Sequence, residues 1–150
     1  MELRGRTAVV TGAAGGIGLA LARRCAAAGM RVVLADVEAG PLGEAAQSLE
    51  KSGAEALAVV TDVSQPEQVE ALAARAVDAF GAVHLVCNNA GVFAGGLSWE
   101  APLADYEWVF AVNVWGVLHG VRAFVPRLLA QGEGHVLITA SMASLTCSWK

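Results

Sequence analysis

Short runs of β-branched and other apolar residues alternate along the chain with Ala/Leu-rich stretches whose apolar positions recur three and four residues apart. The first pattern suits a strand buried on both faces, and the second a helix with one buried stripe. The pattern predicts a first strand over "TAVVTG", Thr7 to Gly12, then a helix from Ile17 to Ala28 stopped by Gly29. "RVVLAD", Arg31 to Asp36, predicts the second strand. The helix that follows, Pro41 to Ser52, has proline in its first turn and Gly53 just past its end. "ALAVVTDV", Ala56 to Val63, predicts the third strand.

"SQPE" then offers Ser64 as an N-cap with Glu67 three residues on, a capping box opening a helix that ends at Gly81. Within "VHLVCNNAG", Val83 to Asn88 predicts the fourth strand. A Gly-rich loop leads to a long helix from about Leu103 to Leu129, with Pro126 expected to kink its last turns. "HVLITAS", His135 to Ser141, predicts the fifth strand. Five strands joined by four helical connections imply a parallel sheet with helices on both faces, because each crossover must return over one face with right-handed sense. The expected architecture is α/β: a Rossmann-like, doubly wound sheet of strand order 3-2-1-4-5, with ligand bound at the carboxyl ends of strands one and four. No linker, repeat or low-complexity stretch breaks the alternation, so residues 1–150 are expected to form a single domain.

Composition narrows the partners. Apolar residues make up 55% of the chain and charged residues 16%, which describes a core-rich globular chain and not a disordered one. At 150 residues it should bury roughly 70% of its unfolded surface. The net charge of -4, with no Lys/Arg cluster, argues against a nucleic-acid partner. Cys25, Cys87 and Cys147 are odd in number and lack CxxC spacing, so reduced thiols in a cytoplasmic protein are expected, not disulfides or zinc. His84, His119 and His135 have no metal-ligand spacing and read as structural histidines; no metal is expected. Trp108 and Trp115 stand seven apart, the spacing of one helix face, and are expected to pack rather than to stack on a ligand. No stretch approaches the ~20 uninterrupted apolar residues of a membrane span, and no membrane partner is expected.

The first candidate chemistry lies in "TGAAGGIG", Thr11 to Gly18, where a strand ends and a helix begins. Amides at a helix N-terminus are unpaired and the helix dipole is positive there, so a pyrophosphate can dock. Gly12 permits the tight turn, Gly16 lets backbone approach the phosphates, and Gly18 lets helix and strand pack closely; with Ile17 they are the cofactor-binding candidates of this turn. No Lys-Ser/Thr pair follows the glycines, which disfavours a Walker-type loop. Asp36 ends the second strand eighteen positions after Gly18, where a carboxylate can accept both ribose hydroxyls of an adenosine. Its charge repels a 2′-phosphate, and Val37, Glu38 and Ala39 supply no arginine to offset that, so NAD is expected over NADP. A methyltransferase also surrounds adenosine with a Gly-rich turn and an acidic strand end, but has no role for the later motifs below.

Those motifs are "DV" at Asp62-Val63, "NNAG" at Asn88 to Gly91, Asn113 within "NVWG" and Ser141 within "ITAS". With the glycine turn, their order and spacing resemble the short-chain dehydrogenase/reductase family over essentially the whole chain. The resemblance implies an NAD(P)-dependent oxidoreductase acting on a small alcohol or ketone, homo-oligomeric in the intact family plan. It also implies that Asp62 and Val63 hold the adenine, and that Asn89, Ala90 and Gly91 line the cofactor near its nicotinamide. Ser141 would bond the substrate oxygen, and Asn113 would support a proton-relaying water.

One part of the family plan has no counterpart. The family moves its proton with a tyrosine, followed four residues later by a lysine whose charge lowers the phenol pKa and which holds the nicotinamide ribose. Here the single tyrosine, Tyr106, has Phe110 four positions on, and the lysines are Lys51 and Lys150. No Tyr-x-x-x-Lys occurs. The expectation is therefore a C-terminally truncated member, the cofactor-binding N-terminal part of such an enzyme without turnover of its own. The alternative is a non-catalytic dinucleotide-binding remnant, or partner of a full-length relative.

Overall fold

The computed structural model describes residues 2–142; Cys147 and Lys150 lie outside the described residues. Five strands, β1 (Thr7–Thr11), β2 (Arg31–Asp36), β3 (Ala56–Val60), β4 (Leu85–Asn88) and β5 (His135–Ile138), form one parallel sheet of order β3-β2-β1-β4-β5. This is the doubly wound order that the alternation predicts. Val9 of β1 sits opposite Val33 of β2 and Val86 of β4, so one row across the centre of the sheet is all valine.

The period-two alternation of each strand divides the core into two layers. Ala8, Val10, Val32, Leu34 and Cys87 face α1 (Gly16–Ala27) and α2 (Ala39–Lys51), packing with Ala22, Cys25, Leu42 and Leu49. Val9, Val33 and Val86 face the other way, onto Val69, Leu72 and Ala76 of α3 (Pro66–Phe80) and Ala123, Phe124 and Leu128 of α5 (Gly116–Gln131). Burial raises both described thiols, Cys87 to about 12, and Cys25 upward as well, so they stay protonated and act as small core residues.

Several boundaries differ from the pattern, each for a local reason. The capping box at Ser64 does not form. Pro66 is the first residue of α3, and it holds Gln65 in extended backbone (φ -105, ψ 107), so the helix cannot begin at Ser64. Ser64 instead donates its amide to Asp62 Oδ1 at 2.9 Å. β3 stops at Val60 and β5 at Ile138, which leaves Asp62 and Ser141 in the loops beyond the strand ends.

The long helix is one continuous stretch of three parts: α4 (Leu103–Phe110), a π-helical turn over Ala111–Trp115, and α5, which carries Pro126 within it. This 29-residue stretch is long and apolar enough to cross a membrane by length and composition. Here Gly116, Gly120, Ala123, Phe124 and Leu128 are its buried residues. The helix comes so close to the sheet that a Cβ on Gly120 would stand 2.1 Å from Asn88 Oδ1.

At the opposite end of the sheet, His84 is buried and accepts a hydrogen bond from the Thr7 amide through Nδ1 at 3.2 Å. Desolvation, aided by Arg6 and Arg31 and opposed by Glu133, holds its pKa below the ordinary 6.5. The folded chain thus keeps His84 neutral where the unfolded chain would take up a proton. The stability this gives is fully present above about pH 6.5 and is lost as pH falls below it. The urea midpoint should fall between about pH 7.5 and about pH 5.5, and fall less in His84→Asn, whose amide oxygen can still accept from Thr7. Equal falls in the two proteins would rule this out.

Candidate cofactor and active site

The site is built where β1 and β4 end side by side. Thr11, the last residue of β1, donates its hydroxyl to the Cys87 carbonyl (3.3 Å) and accepts from the amides of Asn89 (3.0 Å) and Ala90 (3.1 Å). Asn89 returns a bond from Nδ2 to the Thr11 carbonyl at 2.9 Å, and its Oδ1 accepts from the Thr139 hydroxyl at 2.9 Å. One buried threonine thereby locks the glycine turn to the Asn89–Gly91 loop.

Each glycine of the turn does separate work. Gly12 has φ +66, and a Cβ there would lie 2.8 Å from Ala90 Cα. A Cβ on Gly18 would lie 1.9 Å from the Gly12 carbonyl oxygen, so helix and strand can meet only without it. Gly16, at φ +52, faces open space, which leaves room for a ligand against the backbone. The N-cap of α1 is Gly15, and no side chain caps the helix, so its first amides remain for an anion.

Asp36 closes the adjoining wall. Its Oδ2 accepts from the Ala14 amide at 3.0 Å and its Oδ1 from the Glu38 amide at 3.2 Å, so the carboxylate braces the glycine turn as well as ending β2. Each oxygen keeps a further acceptor site. Next to it, the Asp62–Val63 turn is tied to β2 by the Thr61 amide on the Asp36 carbonyl (2.9 Å) and to α3 by the Asp62 amide on Gln68 Oε1 (2.8 Å).

A cleft of about 800 Å³ runs across these elements. Gly12, Gly16, Ile17, Gly18, Asp36, Asp62, Val63, Asn89, Ala90 and Gly91 all line it, so every cofactor candidate in the sequence converges on one space. Its volume lies within the roughly 300–1,000 Å³ of small-molecule and cofactor sites, and its walls offer backbone amide donors at an open helix N-terminus and an accepting carboxylate, the polar groups a dinucleotide needs. A neighbouring cleft of about 510 Å³ shares Asn89, Ala90 and Gly91 and adds Asn113 and Ser141. Asn113 lies in the π-helical turn, where its Oδ1 accepts from the Val92 amide and its Nδ2 donates to the Val92 carbonyl, both at 2.8 Å. The amide thus grips the loop after β4 from both sides and keeps one donor and one acceptor site.

The pattern that defines the short chain dehydrogenase family matches residues 6–148. The chain belongs to the short-chain dehydrogenase family. Among the similar family members, 1-deoxy-11-beta-hydroxypentalenate dehydrogenase of Streptomyces exfoliatus is 50% identical over 147 residues, covering 96% of this chain and 54% of that protein. 2-(R)-hydroxypropyl-CoM dehydrogenase of Xanthobacter autotrophicus is 40% identical over 93% of this chain and 58% of its own length. A crystal structure of a short-chain dehydrogenase/reductase from Burkholderia phymatum in complex with NAD superposes with a TM-score of 0.97 at 51% identity, covering 99% of this chain and 53% of that one. The chain spans about half the length of the curated relatives it matches.

Within this short-chain dehydrogenase frame, some residues stand apart from the sequence expectations. Thr11 ties the glycine turn, and Thr139 the end of β5, to the Asn89 loop; nothing but the position of Thr11 at a strand end before the glycines hints at it. The tryptophans are not core residues: Trp108 is 49% and Trp115 53% exposed, and Trp108 lines the larger cleft. Seven-residue spacing marks one face only in a regular α-helix, and the π turn over Ala111–Trp115 intervenes between them. Tyr106 donates its hydroxyl to the Ser98 carbonyl at 2.8 Å and lines neither cleft.

Proposed function

We propose that residues 1–150 are a single dinucleotide-binding domain of an NAD-dependent alcohol or ketone oxidoreductase, and that this chain binds NAD(H) without turning over substrate. The observation that carries the reading is the convergence of the glycine turn, Asp36, Asp62–Val63 and Asn89–Gly91 on one cleft at the carboxyl ends of β1 and β4, where the strand order reverses. The amides opening α1 would take the pyrophosphate, Asp36 the adenosine ribose, Asp62 and Val63 the adenine, and Asn89 to Gly91 the nicotinamide side. Bound NAD(H) supplies the hydride chemistry. Ser141 is assigned to the substrate oxygen and Asn113 to a relay water, with Asn113 also fixing the loop at Val92. The missing proton donor favours binding without turnover, since Tyr106 is committed to Ser98.

Preference for NAD(H) over NADP(H) follows from Asp36, whose charge repels a 2′-phosphate. The native chain should bind NAD(H) at least about tenfold more tightly than NADP(H), and Asp36→Ala should narrow that ratio toward unity. Because Ala14 and Glu38 also lose their acceptor, affinity for both cofactors should drop together. Calorimetric titration of both proteins with both cofactors is the test. Equal native affinities would sink the assignment of Asp36, and no binding of either cofactor would sink the function.

A further inference from the structure

We infer that His119, with Gly116, is a positioning residue for the adenosine end of the cofactor cleft, holding the Val63 turn against the long helix. The inference rests on the dinucleotide reading above. The turn is secured from the sheet and α3 by the bonds to Asp36 and Gln68. From the other side, α5 secures it twice. Val63 is buried, and a Cβ on Gly116 would stand 2.7 Å from its Cγ2, so only a bare backbone lets the helix seat it. One turn on, His119 Nδ1 lies 2.9 Å from the Val63 carbonyl oxygen. A carbonyl can only accept, so Nδ1 carries the proton and the bond selects that tautomer.

The ring is held as well as bonded. Trp115, four residues earlier, stacks on it with centroids 6.4 Å apart and planes 28° apart. Without a donor at 119, a part-buried carbonyl would lose its partner and the turn its tie to α5. The same helical stretch grips Val92 through Asn113, six positions before His119. Val63 and Val92 both line the larger cleft, so one rigid element sets the spacing between its two ends. The sequence alone reads His119 as merely structural, since the bond depends on a turn fifty-six residues away.

The test is calorimetric titration of the chain with ADP-ribose, which is the dinucleotide without its nicotinamide and so keeps the adenosine end, using native protein, His119→Leu and His119→Asn. Asparagine puts an N–H donor at the position of Nδ1. His119→Leu should weaken ADP-ribose about tenfold, and His119→Asn should stay within about threefold of native. Hydrogen exchange at the Ser64 and Gln65 amides of the ligand-free chain should quicken in His119→Leu and stay slow in His119→Asn. Native affinity in His119→Leu, or equal loss in both variants, overturns the inference. If native chain fails to bind ADP-ribose, the dinucleotide reading falls, and the exchange rates decide the positioning role alone: unchanged exchange in His119→Leu overturns it.

Discussion

Supplied with NADH and a panel of ketones, or with NAD and alcohols, this chain is expected to turn over at least ~10⁴-fold more slowly than a family member that carries Tyr-x-x-x-Lys. The deficit has two parts. Losing a positioned general acid costs roughly 10²–10⁴ in rate. Losing the lysine that holds the nicotinamide ribose misplaces the hydride, and small misplacements cost about another 10². Nothing in the described residues replaces either group. Tyr106 sits in the first turns of α4, bonded to Ser98, and Lys51 ends α2. In the proposed reading Ser141 would orient a carbonyl, but orientation leaves the proton unmoved. The measurement is NADH consumption by purified chain free of host reductases. Turnover that follows the chain through purification and disappears in Ser141→Ala would overturn the expectation.

The second large effect concerns stability. Gly18→Ala should cost about 3 kcal/mol or more, because its methyl would stand 1.9 Å from the Gly12 carbonyl oxygen and 2.6 Å from Asn89 Nδ2. The first obstacle is backbone and cannot rotate away. Either α1 shifts off β1 or the turn opens, and each also breaks the contact between Gly12 and the Asn89 loop. At about 2–4 °C per kcal/mol for a chain of this size, the melting temperature should fall by roughly 10 °C. Gly15→Ala is the control, since nothing lies within 4 Å of its Cβ position and its backbone (φ -162, ψ -173) is extended. It should change stability by no more than about 1 kcal/mol, the scale of an N-cap change. Calorimetric melts of the three proteins decide it; a Gly18→Ala melt near the native one would mean that the turn gives more easily than its contacts imply.

The sheet was legible because β-branched runs and alanine-rich stretches differ in period, and the glycines announced the first turn. The cleft was legible for a different reason: its residues fall at strand ends, which are loci of sequence pattern. What the sequence did not reveal depends on contacts between distant segments. The second task of Asp36, bracing Ala14, requires knowing where a turn twenty-two residues earlier folds back. Ser64 matched a capping box, yet Pro66 dictated the helix start, a local rule that outranks the cap. Seven-residue spacing predicts one shared packed face for Trp108 and Trp115, but a π turn intervenes and both are about half exposed. Nothing in "AVNVW" marks it as a π turn, since its residues suit an α-helix equally well.

That π turn makes chain length a structural quantity. A π turn takes up one residue more than the α-helical turn it replaces. Deleting a residue between Ala111 and Trp115 would let the helix close regularly and leave everything beyond in its present phase, because the π turn winds through the same angle as an α turn with one residue more. Gly116 would stay on Val63 and Gly120 on Asn88, where only bare backbone fits. The change would fall on Asn113, whose amide holds Val92 from within the wider turn. The extra residue is slack taken up in one place, and its removal should loosen the loop after β4 while sparing the seat of α5 on the sheet.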